Sequence, residues 1–202
     1  MVGTLEVGRY LTGIVMLARG DRRGFSYLDL TADGFWRSFT AILYAVPAFL
    51  LSWISYRNGY VAAAGEAAAT GPGFFLRLAL IDVLNWLVPV VIVGLVAAPL
   101  GISAHFGRWV IATNWLSLPI AYLMAIPVAL ILLVPGSEPI AIPISLVFFG
   151  LAVAVFFRVT RLSLENDLPV AIGITVGLVI LSFAMTGMLQ AAFGLAFEPM
   201  PT

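Results

Sequence analysis

The chain has 202 residues, 62% hydrophobic and 10% charged, with a formal net charge of zero. A soluble domain carries roughly 25% charged residues, so a chain this apolar cannot cover a water-facing surface and lipid is its expected solvent. All ten basic residues are Arg, there is no Cys and there is one His. That excludes disulfides, thiolate metal sites, iron–sulfur clusters and His clusters, and the sparse, balanced charge excludes nucleic acid as a partner.

Residues 1–37 form a cytoplasmic or interfacial segment rather than a span. Between residues 5 and 18, Val7, Tyr10, Leu11, Ile14, Val15 and Ala18 fall on one side of a helical wheel, and Arg9, Thr12 and Arg19 on the other. This pattern predicts an amphipathic helix, either lying in the membrane interface or packed under the bundle. A cleavable signal peptide is not expected, because Arg19-Gly20-Asp21-Arg22-Arg23 stands where a small-residue cleavage site would be needed. Phe25, Tyr27, Phe35, Trp36 and Phe39, with Arg37 among them, read as an aromatic belt at the membrane edge. Thr31 is placed to cap the first span, with Asp33 in its first turn.

Residues 38–197 form the transmembrane domain. Five stretches lack charge or nearly so: 38–56, 78–100, 109–134, 140–157 and 168–197. About 20 apolar residues cross the hydrocarbon core as a helix, and none of these runs alternates as a barrel strand would. The predicted fold is therefore an all-α polytopic bundle of about five spans. The longest connection is 57–75, ending Thr70-Gly71-Pro72-Gly73; 101–108 is a short loop holding His105; 135–139 is a Pro-bounded turn; and 158–167 is the most charged internal loop. With the N-terminus inside, eight Arg lie on the cytoplasmic side and two, Arg57 and Arg77, outside, as the positive-inside rule requires. Five spans then place the C-terminus outside.

Few polar residues fall within spans. Asp82 is the one acid there. Counted from Arg77 it lies roughly 7–8 Å deep, where Arg77 or Arg57 could pair with it. Such residues also mark ion and proton pathways. Asn85-Trp86-Leu87 and Asn114-Trp115-Leu116 repeat a tripeptide in the second and third spans, each followed by a proline, Pro89 and Pro119. Chance, polar contacts between helices and an inverted transporter repeat all remain open for this pair. Pro47 and Pro127 are further intramembrane prolines. Gly173 and Gly177 in the fifth span, with Gly150 and Ala154 in the fourth, make small faces; these suit contact between the two spans, or a homodimer. No nucleophile elbow, Walker loop, HExxH or GxGxxG occurs, so no enzyme activity and no cofactor are expected.

The layout resembles the Yip1 family: about 200 residues, a cytoplasmic N-terminal segment, five closely spaced spans and almost no C-terminal tail. Tyr27-Leu28-Asp29-Leu30 is similar to that family's Asp-Leu-Tyr-Gly-Pro segment without its Gly-Pro, and Asn58-Gly59-Tyr60 falls in a loop where the family has Gly-Tyr in a span. Gly34-Phe35-Trp36-Arg37-Ser38-Phe39 looks like a segment of alphaproteobacterial inner-membrane proteins. The resemblance implies a multi-pass protein of a bacterial inner membrane that acts as a scaffold, assembly factor or partner subunit. Its expected partners are the lipid bilayer and either another membrane protein or a second copy. The alternative is a small permease or channel subunit using Asp82, Asn85 and Asn114. A polar cavity joining these residues would favour transport; a dry, packed bundle would favour scaffolding.

Overall fold

The structure, a computed structural model, describes residues 3–65, 70–165 and 167–196. The described residues form seven α-helices and no strand: α1 Thr4–Ala18, α2 Ala32–Ser38, α3 Ala41–Ala64, α4 Pro72–Val96, α5 Ser103–Leu133, α6 Glu138–Ser163 and α7 Leu168–Ala192. Five are long and apolar enough to cross a membrane, α2 and α3 counting as one span from Ala32 to Ala64. The chain is an integral, multi-pass membrane protein with an all-α fold.

The helices begin and end where backbone chemistry directs. Thr31 accepts the Gly34 amide at 3.1 Å and so caps α2 at the start of the first span, as expected. Asp167 caps α7 through the Val170 amide at 3.1 Å, with Pro169 in the first turn. The turn from α5 to α6 needs a left-handed residue, and Gly136 supplies it at φ 81°.

The spans overrun most of the expected bounds. The chain stays helical through Arg57 and Asn58-Gly59-Tyr60 to Ala64, and α4 begins at Pro72, ahead of Arg77. An Arg near a membrane surface need not end a helix, because its long stem reaches the interface while the backbone continues. Here Arg57 donates to Thr70 Oγ1 at 3.1 Å, and Arg77 to the Phe193 carbonyl at 2.7 Å. The 57–75 connection therefore shortens; its residues 66–69 lie outside the described residues. Likewise, α6 runs from Glu138 to Ser163 rather than 140–157. The last span closes at Ala192, short of 197, and residues 197–202 also lie outside the described residues. His105 stands in the first turn of α5, not in a loop.

α5, at 31 residues, is about 46 Å long, more than a bilayer's hydrocarbon needs. It packs most closely on α3 and α6; α7 then joins α6, and α4 joins α7 while touching α5 only lightly. At the end of the bundle where α5 begins, α1 seats Tyr10, Ile14 and Leu17 against Ile111, Ala112, Trp115 and Val159, with the Tyr10 and Trp115 rings 4.7 Å apart. The apolar side of α1 is thus buried on protein, the second of the two placements read from the wheel. Its centre is rotated, since Leu17 is fully buried while Val15 is half exposed. A 3₁₀ turn, Arg22–Tyr27, folds back along α1. It fits because Gly24 lies on Gly13: a Cβ on either would collide with the other's carbonyl. Arg37 donates to both Glu6 oxygens at 2.7 and 2.8 Å and clasps α1 to α2. That hydrogen bond, then the one from the Gly3 amide, hold the Glu6 carboxyl below its usual range.

Candidate functional site

The five spans leave an open recess between them. A cavity of about 420 Å³ is lined by side chains from all five spans, including Asp82, Asn85 and Asn114. Its volume falls in the range of small-ligand sites. The course of α4 explains it. Phe74, Leu78 and Ile81 are buried toward one end of α4 and Val93 toward the other, while no residue from 82 to 92 is fully buried. Pro89 lies in that stretch. Bulky Phe49, Trp86, Trp109 and Phe156 around the walls hold the helices apart, and Ser52, Ser117 and Ser182 add hydroxyls.

Asp82 does not pair with Arg77 or Arg57, which are bonded elsewhere as described above. Its partner is Trp53 on α3, whose indole N–H donates to Oδ2 at 2.6 Å. No ion pair to Asp82 occurs among the described residues. Arg57 is held by Thr70, and Arg77 is drawn off by the C-terminal end of α7. There Arg77, Tyr56 and Tyr60 donate to the carbonyls of Phe193, Leu195 and Gly194, which a helix end leaves without intrahelical partners. The one acid of the cavity wall thus has a neutral donor and no counter-charge.

The two asparagines do different work. Asn114 is buried and used on both atoms: Trp86 donates to Oδ1 at 3.0 Å, and Nδ2 donates to Ser38 at 2.9 Å. It ties α5 to α4 and α2. Asn85 donates to Thr186 on α7 at 3.1 Å, while its Oδ1 is buried without a partner. Trp86 reaches the cavity and Asn114, whereas Trp115 packs on Tyr10. The two tripeptides therefore have dissimilar surroundings, against an inverted repeat. They are linked instead by the Trp86–Asn114 bond.

Comparison of the chain with protein-family models, with curated proteins and with solved structures gives no match. The site is accordingly read from its own chemistry.

The small faces lie elsewhere. Gly150, Ala154, Gly173 and Gly177 are all exposed, and a Cβ at any of the three glycines would meet open space. They do not pack α6 on α7. These helices meet through a Phe149–Phe183 ring pair at 5.6 Å and through Phe156, Leu164 and Ile174. His105 is drawn into a cluster with Arg108 and Glu165: its Nε2 is 3.6 Å from Glu165, and Arg108 donates to the Ser163 carbonyl at 2.5 and 2.9 Å. This cluster joins α5 to the end of α6, away from the cavity lining. Among the described residues no group of three His, Cys, Asp or Glu could hold a metal. Trp53 was missed in the sequence. The only signal for it is a tryptophan among apolar residues, which reads as packing until its indole N–H is given a partner.

Proposed function

We propose that this membrane protein is a small, non-enzymatic permease that holds its solute against Asp82 in the cavity shared by the five spans. The observation that carries this reading is the Asp82 carboxylate on the wall of that cavity, with Trp53 as its hydrogen-bond donor and no cation paired with it among the described residues. An uncompensated carboxylate at membrane depth is costly, and such residues face water-filled or ligand-filled interiors and recruit positive charge. A packed bundle would have supported the scaffold reading; a cavity joining Asp82, Asn85 and Asn114 supports transport. A cationic solute or a proton supplies the charge that the surrounding helices lack. The Arg distribution supports a cytoplasmic N-terminus, and a bacterial inner-membrane placement rests on the resemblance noted in the sequence. Reporter fusions at Gly136 and Thr202 test that orientation, and both should read as external.

The transport test uses proteoliposomes. A gradient of H⁺, tetramethylammonium, K⁺ or Na⁺ should dissipate through the wild-type protein faster than through protein-free liposomes. Asp82→Asn, which retains an oxygen for Trp53, should abolish the flux with helical content unchanged. Flux at the wild-type rate through Asp82→Asn, or no flux of any cation through the wild type, would overturn the reading.

A further inference from the structure

A second chamber of about 410 Å³ lies beside the first, between α5, α6 and α7. The two share Ile120, Met124, Phe156, Leu178 and Ser182 as lining, so they are adjoining rooms rather than separate sites. Their chemistry differs. The first holds Asp82, Asn85 and Asn114; the second offers hydroxyls only at Ser182 and Thr186, on walls of aliphatic and aromatic side chains. Both open on the outer surface of the bundle, the second beside an aromatic pair. Phe149 and Phe183 line it and are 37% and 65% exposed. Their edge-to-face rings stand across the seam between α6 and α7, on a face that a bilayer covers.

Building on the permease reading, we infer that the solute is an amphipathic organic cation that enters sideways from the bilayer between α6 and α7. The cationic head lies against Asp82, and the apolar body fills the second chamber. Among the described residues, Asp82 is the one charged side chain lining either chamber, so a single positive charge is matched. Phe49, Trp86, Trp109 and Phe156 add aromatic faces on the head-group side, and such faces attract quaternary ammonium groups. A hydrophilic cation would leave the apolar chamber unused. An apolar anion would meet the carboxylate. A molecule with a cationic head and an apolar tail already concentrates in the membrane beside the seam. The Phe149–Phe183 pair acts as the gate, because two exposed rings on facing helices can swing apart without breaking a hydrogen bond.

The experiment measures binding of alkyltrimethylammonium ions, from methyl to decyl, to the protein in nanodiscs of zwitterionic lipid, with protein-free discs as baseline and alkyl sulfates as the opposite-charge series. Affinity referred to aqueous concentration should rise about fourfold per methylene until the chamber is full, the sulfates should not bind, and Asp82→Asn should lose tenfold or more. The chain has no Cys, so a Phe149→Cys/Phe183→Cys variant can be bridged uniquely with a short bifunctional thiol reagent. Bridging should slow decyltrimethylammonium binding tenfold or more and leave tetramethylammonium unchanged. Cation binding that depends on Asp82 but ignores tail length and bridging would overturn lateral entry and the amphipathic ligand, while leaving the permease reading intact. Absence of any Asp82-dependent cation binding, with helical content retained, would overturn both.

Discussion

The side of the bundle formed by α3, α5 and α6 and the side formed by α4 and α7 are assembled from different kinds of side chain. On the first, Ala41 and Ala45 of α3 let its backbone approach α5, where Ile111, Ala112, Trp115 and Leu116 are buried, and Val159 and Leu162 of α6 close the same cluster. Small residues at one helix and large ones at the next give the close packing that holds helices together in lipid, where burial of apolar surface alone does little. α1 then covers this cluster. On the second side, the middle of α4 buries no residue fully, and contact is made at its two ends and through three polar bonds, Trp53 to Asp82, Asn85 to Thr186 and Trp86 to Asn114. The first side is a frame; the second is held to it at both ends and stands away in the middle.

Substitutions on the two sides should therefore differ in kind. The largest effect is expected for Trp115→Ala. It empties a fully buried site between α1 and α5 and should cost about 3–5 kcal/mol, read as a lowered melting midpoint in detergent. Trp53→Phe, on the cavity side, should change that midpoint far less. Next is Gly24→Ala. The added methyl collides with the Gly13 carbonyl, and overpacking of this kind should cost about 1–3 kcal/mol; limited proteolysis should then release the 3₁₀ turn from α1.

The asparagines give a matched pair. Asn114→Leu leaves the Trp86 indole N–H without its acceptor and removes the bond to Ser38, whose hydroxyl keeps the Phe35 carbonyl, and should cost about 1–3 kcal/mol. Asn85→Leu breaks one bond, to Thr186, and should cost about 0.6 kcal/mol, the average for interhelical hydrogen bonds in membranes. Equal losses would mean that the two sides are packed alike. The smallest effect concerns the Glu6–Arg37 clasp. The folded Glu6 carboxyl titrates below its ordinary value of 4.5, so its contribution is present above that pH and is lost as pH falls through the folded value. Thermal midpoints of wild type and Glu6→Gln should differ at neutral pH and converge as the pH drops below 4.5.

Much of the frame is legible in the sequence. Charge-free runs longer than a bilayer is thick can hardly be anything but spans, and the Thr31 cap and the intramembrane prolines lie where the sequence puts them. The ends of the spans are less legible. Arg57 and Arg77 read as boundaries by charge, yet both sit on helices that continue past them. The site was half legible. Asp82, Asn85 and Asn114 are identified by the cost of polar groups in lipid, and all three line the cavity. Their partners are not identifiable that way, because Trp53, Thr186 and Ser38 come from other helices whose rotation no single sequence records. The small faces misled for a related reason. Glycine spacing marks a face that can pack closely, and only the neighbouring helix decides whether it does.

The most direct test of the account asks whether Asp82 imposes its charge on the cavity. The Cys-free chain accepts a single thiol by Ser117→Cys, on the cavity wall. Its reaction rates with a cationic trimethylammonium methanethiosulfonate and with the anionic sulfonate analogue are compared with those of a free thiol. The account predicts a preference for the cation at least tenfold beyond that of the free thiol, removed in the Asp82→Asn background. The same rate ratio with and without the Asp82 carboxylate would contradict it.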